Sequence, residues 1–130
     1  MTSVSMRYFA DDVDAAIAFY TEQLGFAVDV NRAPHFASLT RGDLRLLLNS
    51  PRGSGWAAQP ASDGRRPEPG GWNRLQLQVD DLASEVDHLR AAGAPFRGEI
   101  VNGFGGKQIV LDDPSGNPVE LFEPPPPRNQ

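Results

Sequence analysis

Two stretches of this chain repeat each other, both in letters and in the order of the elements they predict. Asp11-Asp12-Val13 is answered by Asp80-Asp81-Leu82, and Gly42-Asp43-Leu44-Arg45-Leu46-Leu47 by Gly116-Asn117-Pro118-Val119-Glu120-Leu121. Helix caps and turn residues agree as well as hydrophobicity does, which chance similarity between two amphipathic halves does not supply. A duplicated chain of 130 residues is long enough to bury a core and short enough to be one domain.

Each half reads strand, helix, then three strands. Residues 4–9 suit a short strand, and Asp11-Asp12 supplies an N-cap with negative charge at the helix start. Val13, Ile17, Tyr20 and Leu24 then recur on one helical face, and Gly25 closes the helix. Strands are predicted at 26–30, 35–40 and 44–49, with Arg41-Gly42-Asp43 as a turn. In the second half, 72–79 alternates Leu75, Leu77 and Val79 against polar neighbours, a two-faced strand. Asp80-Asp81 caps a helix bearing Leu82, Val86 and Leu89 and ended by Gly93; strands follow at 96–101, 107–111 and 118–122. The last is preceded by Asp112-Asp113-Pro114-Ser115-Gly116-Asn117, a run of turn formers.

The expected class is therefore α+β, two βαβββ modules at about 1–50 and 71–124 in one domain, 1–124. The Pro/Gly-rich connection at 50–71 is long, and is either a lid over a site or a plain linker. Trp56 favours a lid, since a large aromatic in a polar loop packs on something; covering the sheet edge is the alternative. The tail at 125–130 is Pro-rich and extended.

Composition removes several function classes. A net charge of −5 without any basic stripe argues against nucleic acid, and the Arg65-Arg66 doublet sits in the solvated connection. The absence of cysteine rules out disulfides, thiolate metal sites and a cysteine nucleophile, and suits a cytoplasmic protein. Neither a signal-peptide pattern nor a run of membrane-spanning length is present, so no membrane partner is expected. The 103–108 segment, Gly-Phe-Gly-Gly-Lys-Gln, lacks the spacing and the Ser/Thr of a phosphate loop, and there is no Gly-x-Ser-x-Gly elbow.

The segment 11–20, Asp-Asp-Val-Asp-Ala-Ala-Ile-Ala-Phe-Tyr, with Leu24-Gly25-Phe26, resembles the opening of the vicinal oxygen chelate superfamily, and 112–121 resembles its ending. That superfamily includes glyoxalase I, bleomycin resistance proteins, extradiol dioxygenases and fosfomycin-inactivating enzymes. The resemblance implies paired modules curling around a cavity, commonly completed in a homodimer. It also implies metal ligands on the first and last strand of each module, which fall here on Ser5, Leu46, Arg74 and Glu120. Only Glu120 offers the carboxylate or imidazole that such a metal takes; a leucine has no donor atom, and a guanidinium repels a cation. Of the two histidines, His88 is expected on the exposed side of its helix, whereas His35 either enters the cavity or is structural.

Metal sites are thus expected to be absent, and with them any cofactor, a divalent metal held differently being the alternative. In place of the ion, an Arg74–Glu120 pair is expected, flanked by Gln76, Arg7 and Trp72, with His35, Trp56, Phe104 and Gln108 as further ligand-contacting residues. A plainer alternative keeps Arg74 and Glu120 as a surface or structural pair. Glu120 is the one candidate for a catalytic base, a role that a neighbouring guanidinium opposes. The expected function is metal-independent binding of an anionic or aromatic metabolite or antibiotic. The alternatives are a metal-dependent lyase, isomerase or dioxygenase, and an interaction module without a ligand.

Overall fold

The structure, a computed structural model, describes residues 4–53 and 56–127; the side chain of Trp56, proposed above as a lid anchor, lies outside what is described. It contains two compact units, one made of the chain up to Gly71 plus Asp113–Asn117, the other of Trp72–Asp112 plus the chain from Pro118 onward.

In the first unit, β1 (Val4–Phe9), α1 (Val13–Gln23), β2 (Ala27–Arg32), β3 (Phe36–Arg41) and β4 (Leu44–Asn49) follow in order. The sheet order is β1-β4-β3-β2, with β1 parallel to β4 and the remaining pairs antiparallel. Asp12 caps α1 by accepting from the Ala15 amide, as its short carboxylate side chain predicts. The helix buries Val13, Ala16 and Tyr20, and the sheet answers with Ala37, Leu39, Leu46 and Leu48, all inaccessible to solvent. Because side chains alternate along a strand, Arg7, Ser38, Leu47 and Asn49 fall on the opposite face. Full burial of each leucine contributes roughly 1.5–3 kcal/mol, so this helix-side layer fixes which residues face away from it.

The second unit repeats the plan with β5 (Leu75–Gln78), α2 (Leu82–Ala91), β6 (Val101–Gly103), β7 (Gly106–Asp112) and β8 (Pro118–Glu123), in the order β5-β8-β7-β6. Asp81 caps α2 through the Ser84 amide, and Leu82, Val86 and Leu89 are buried as expected. Leu75, Leu77, Ile109, Leu111, Val119 and Leu121 form its core. His88 is exposed.

Several expected strands are shorter than the alternation of their residues suggests. The 72–79 strand begins only at Leu75, because ladder partners on β8 run from Val119 to Phe122 and leave Trp72, Asn73 and Arg74 as an irregular lead-in. The 96–101 strand reduces to one bridge, Phe96 with Leu111, before β6. The 35–40 strand starts at Phe36, leaving His35 in the preceding turn. Among its described residues, the 50–71 connection holds one short helical turn, Trp56–Ala58, and is otherwise irregular.

Candidate functional site

In the second unit, β8 brings Glu120 opposite Gln76 of β5, on the face turned away from the Val119/Leu121 layer. Glu120 is 7% exposed, a burial that an ionised carboxylate sustains only with partners. It has three. Arg74 places Nε 3.0 Å and Nη2 2.9 Å from Oε1, and the Gln76 amide donates to Oε2 at 2.6 Å. Arg74 Nη1 also donates to the carbonyl of Trp72 at 3.3 Å. Charge is balanced locally, and both carboxylate oxygens are occupied.

Trp72 is 70% exposed, and the Arg97 guanidinium lies 4.5 Å from the centre of its ring while bonding Asp112 at 2.6 Å. The indole therefore offers one face to solvent and has the other covered by a cation. Gln108 lines a hollow of about 210 Å³ beside Gly106 and Phe122. Phe104, at the tip of the β6–β7 hairpin, projects fully into solvent.

In the first unit, Arg7 of β1 and His35 share a hollow of about 390 Å³ with Phe36, Asn49, Ala57 and Ala58. Arg7 Nε donates to Asn49 Oδ1 at 2.9 Å, which aims the guanidinium along the sheet. The volume lies within the range of small-molecule sites, roughly 300–1,000 Å³. Of the residues singled out from the sequence, the structure thus brings Arg74, Gln76 and Glu120 together, and separately Arg7 and His35.

One of the four strand positions needs correcting. Leu46 is fully buried against the helix-side layer, equivalent to Val119, and the residue matching Glu120 is Leu47, which pairs with Arg7 as Glu120 pairs with Gln76. Aligning the strands from their turns failed because the β7–β8 turn, Asp113–Asn117, is longer than the Gly42-Asp43 turn. A one-residue slip exchanges the faces. The residue type is unchanged, so the position still offers no donor.

The donor set does not fit a divalent ion. Ser5 and Leu47 in one unit offer neither carboxylate nor imidazole, and in the other the one carboxylate, Glu120, is already paired with the Arg74 guanidinium and bonded by Gln76. Among the described residues, no three His, Cys, Asp or Glu side chains gather as a metal site.

Sequence reasoning missed Asn49, which positions Arg7, and Arg45, whose Nε is buried without a hydrogen-bond partner. The available signal was that Arg45 and Asn49 are the polar letters in the leucine-rich β4 strand. It also passed over a buried cluster in the first unit. The Tyr20 hydroxyl donates to Asp113 Oδ2 at 2.8 Å, and Asp113 further accepts from the amides of Ser115 and Asn117 and from the Asn117 side chain. Burial, and then the Asp113 charge, raise the Tyr20 hydroxyl pKa well above its ordinary value. Asn117 also donates to the Phe9 carbonyl, so the motif that resembles the family's ending is a structural clasp.

The chain is 29% identical over 122 residues, 88% of its length and 89% of the relative's, to the uncharacterized protein YaeR of Escherichia coli (strain K12). Its fold is similar to the lactoylglutathione lyase from Agrobacterium tumefaciens, with TM-score 0.72 and 26% identity, covering 92% of this chain and 91% of that one. It is also similar to TnmS3, an antibiotic binding protein from Streptomyces sp. CB03234, with TM-score 0.70 and 23% identity, covering 96% and 100%. A family model matches residues 3–121, nearly the whole chain. With its duplicated βαβββ plan and that match, the chain belongs to the Glyoxalase/Bleomycin resistance protein/Dioxygenase superfamily.

Proposed function

We propose that this protein binds a small anionic or aromatic metabolite or antibiotic without a metal ion. One observation carries the reading: Glu120, the single carboxylate among the four strand positions, has both oxygens engaged by Arg74 and Gln76. Freeing that carboxylate for a cation would break a shielded ion pair and bring a guanidinium against the ion, two costs in the same direction. The fold likeness does not choose between binding and turnover, since similar structures include a lyase and an antibiotic binding protein.

The alternative is a metal-dependent lyase, isomerase or dioxygenase, and the two differ in something easily measured. Elemental analysis of the purified protein is expected to find Zn, Ni, Mn and Fe far below one per chain, and ligand titrations should be unaffected by EDTA. Near-stoichiometric metal sinks the proposal. An interaction module without a ligand is tested by titrating aromatic small molecules while following tryptophan fluorescence; a saturable response argues against it.

The reading includes a homodimer in the cytoplasm without nucleic-acid partners. Val4, Val28, Trp72, Val101 and Phe104 are large apolar side chains left exposed on a single chain, which supports self-association. A net charge of −5 disfavours nucleic acid. Among the described residues no helix is long and apolar enough to cross a membrane. Sedimentation equilibrium checks the dimer, and a monomer at micromolar concentration removes that part.

A further inference from the structure

The two cationic side chains singled out from the sequence, Arg7 on β1 and Arg74 just before β5, are in different electrostatic states. The guanidinium of Arg74 is neutralised by Glu120, and each of its nitrogens already donates: Nε and Nη2 to that carboxylate, Nη1 to the Trp72 carbonyl. Arg7 has a neutral partner only. Its Nε donates to Asn49 Oδ1, and among the described residues no carboxylate forms an ion pair with it.

A guanidinium has five N–H groups. With Nε held by an amide oxygen, the outward edge of Arg7 presents the paired Nη1 and Nη2 groups, whose parallel N–H bonds match the two oxygens of a carboxylate. Arg7 lines the 390 Å³ hollow, whose other walls combine Phe36, Ala57, Ala58 and the His35 ring with the polar Asn49 and Ser50. The hollow also has a tight point. A methyl group built on Gly53 would stand 3.4 Å from His35 Nδ1, so the imidazole lies over a residue without a side chain.

We propose that the first unit's hollow is a subsite for an aromatic carboxylate, with Arg7 gripping the carboxylate end-on and Phe36 and the alanines covering the ring. This rests on the binding function proposed above and names the chemical class of its ligand. In this arrangement Arg74 shields Glu120, and Arg7 reads the ligand's charge. A singly charged planar anion suits one fork; a phosphonate dianion would ask for more positive charge than one arginine brings to a chain of net charge −5.

The test is calorimetric titration of the intact chain with 1-naphthoate, its neutral amide 1-naphthamide, and 1-naphthylphosphonate. The wild type is expected to bind the acid about tenfold or more tightly than the amide, the size of effect a charge-assisted pair gives. Arg7→Leu, at an exposed position that tolerates substitution, should bring acid and amide to within about twofold of each other, because only the charged contact is removed. Gly53→Val should weaken acid and amide alike by filling the space under His35. Thermal melts of both variants show that they fold.

A preference for the acid that survives Arg7→Leu, that collapses in Arg74→Leu alone, or that gives way to tighter phosphonate binding overturns the assignment while leaving a binding protein. Unchanged binding in Gly53→Val overturns it as well, placing the ligand elsewhere. If neither the acid nor the amide binds, the subsite is overturned, and the proposed function with it if the wider aromatic titration is also silent.

Discussion

Arg74 and Glu120 show how much a single residue's setting decides. Their side chains are 26% and 10% exposed, so the pair is largely shielded from water. Arg74→Ala leaves the Glu120 charge with Gln76 alone and is expected to cost about 2 kcal/mol in urea unfolding. Adding Glu120→Gln to that variant should recover part of the loss, since the stranded charge is then gone. Tyr20→Phe removes the hydroxyl from Asp113, which keeps three other donors, and is expected to cost about 1–2 kcal/mol at neutral pH. That gap should change with pH in a fixed direction. Tyr20 in the folded protein ionises well above the unfolded value of about 10. Its contribution is therefore complete below pH of about 10 and is lost as pH rises toward the folded pKa, because the unfolded chain releases the proton first. Unfolding free energies of wild type and Tyr20→Phe measured on either side of pH 10 should converge on the alkaline side. The Arg74–Glu120 contact was legible from the sequence because both positions are counted from capped or turn-bounded elements. The Tyr20–Asp113 contact was not, as the two residues are 93 positions apart and each looked locally explained, one as helix core and the other as turn.

Elements followed local letters wherever caps and turns were explicit. Both helices begin after an Asp whose carboxylate accepts from an amide three residues on, and Asp12→Ala or Asp81→Ala should each cost about 1 kcal/mol. Two glycines separate local from tertiary demands. Gly42, in the β3–β4 turn, has φ +57 and open space around it, so Gly42→Ala meets only the left-handed backbone penalty, about 1 kcal/mol. Gly106, at the start of β7, has φ +122, and an added methyl group would overlap the Glu123 carbonyl oxygen and crowd Phe122 and Pro124. Gly106→Ala is expected to cost about 3 kcal/mol or more, and thermal melts of the two variants should rank them accordingly. Strand ends were the least legible. Trp72 and Asn73 continue the alternation of β5, yet no β8 residue pairs with them, and ladder partners are a property of another segment. The slip from Leu46 to Leu47 has the same origin: the letters of two turns matched, but their lengths did not.

At the scale of the molecule, the chain does not divide at its midpoint. Asp113–Asn117 lies within the first unit, where Asn117 donates to the Phe9 carbonyl and Asp113 accepts from Tyr20. A fragment of residues 1–71 would lack both, leaving buried polar groups unpaired, and is expected to show no cooperative thermal transition, whereas residues 1–127 should melt cooperatively. The sequence by itself determined the duplicated βαβββ order, the superfamily, both caps and the poverty of metal donors, because periodicity, turn chemistry and side-chain type are local properties. Only the tertiary structure decided that Leu47 rather than Leu46 matches Glu120, that Arg74 is neutralised while Arg7 is not, and that a hollow opens beside Arg7. Those depend on strand register and on which distant side chain reaches a charge first.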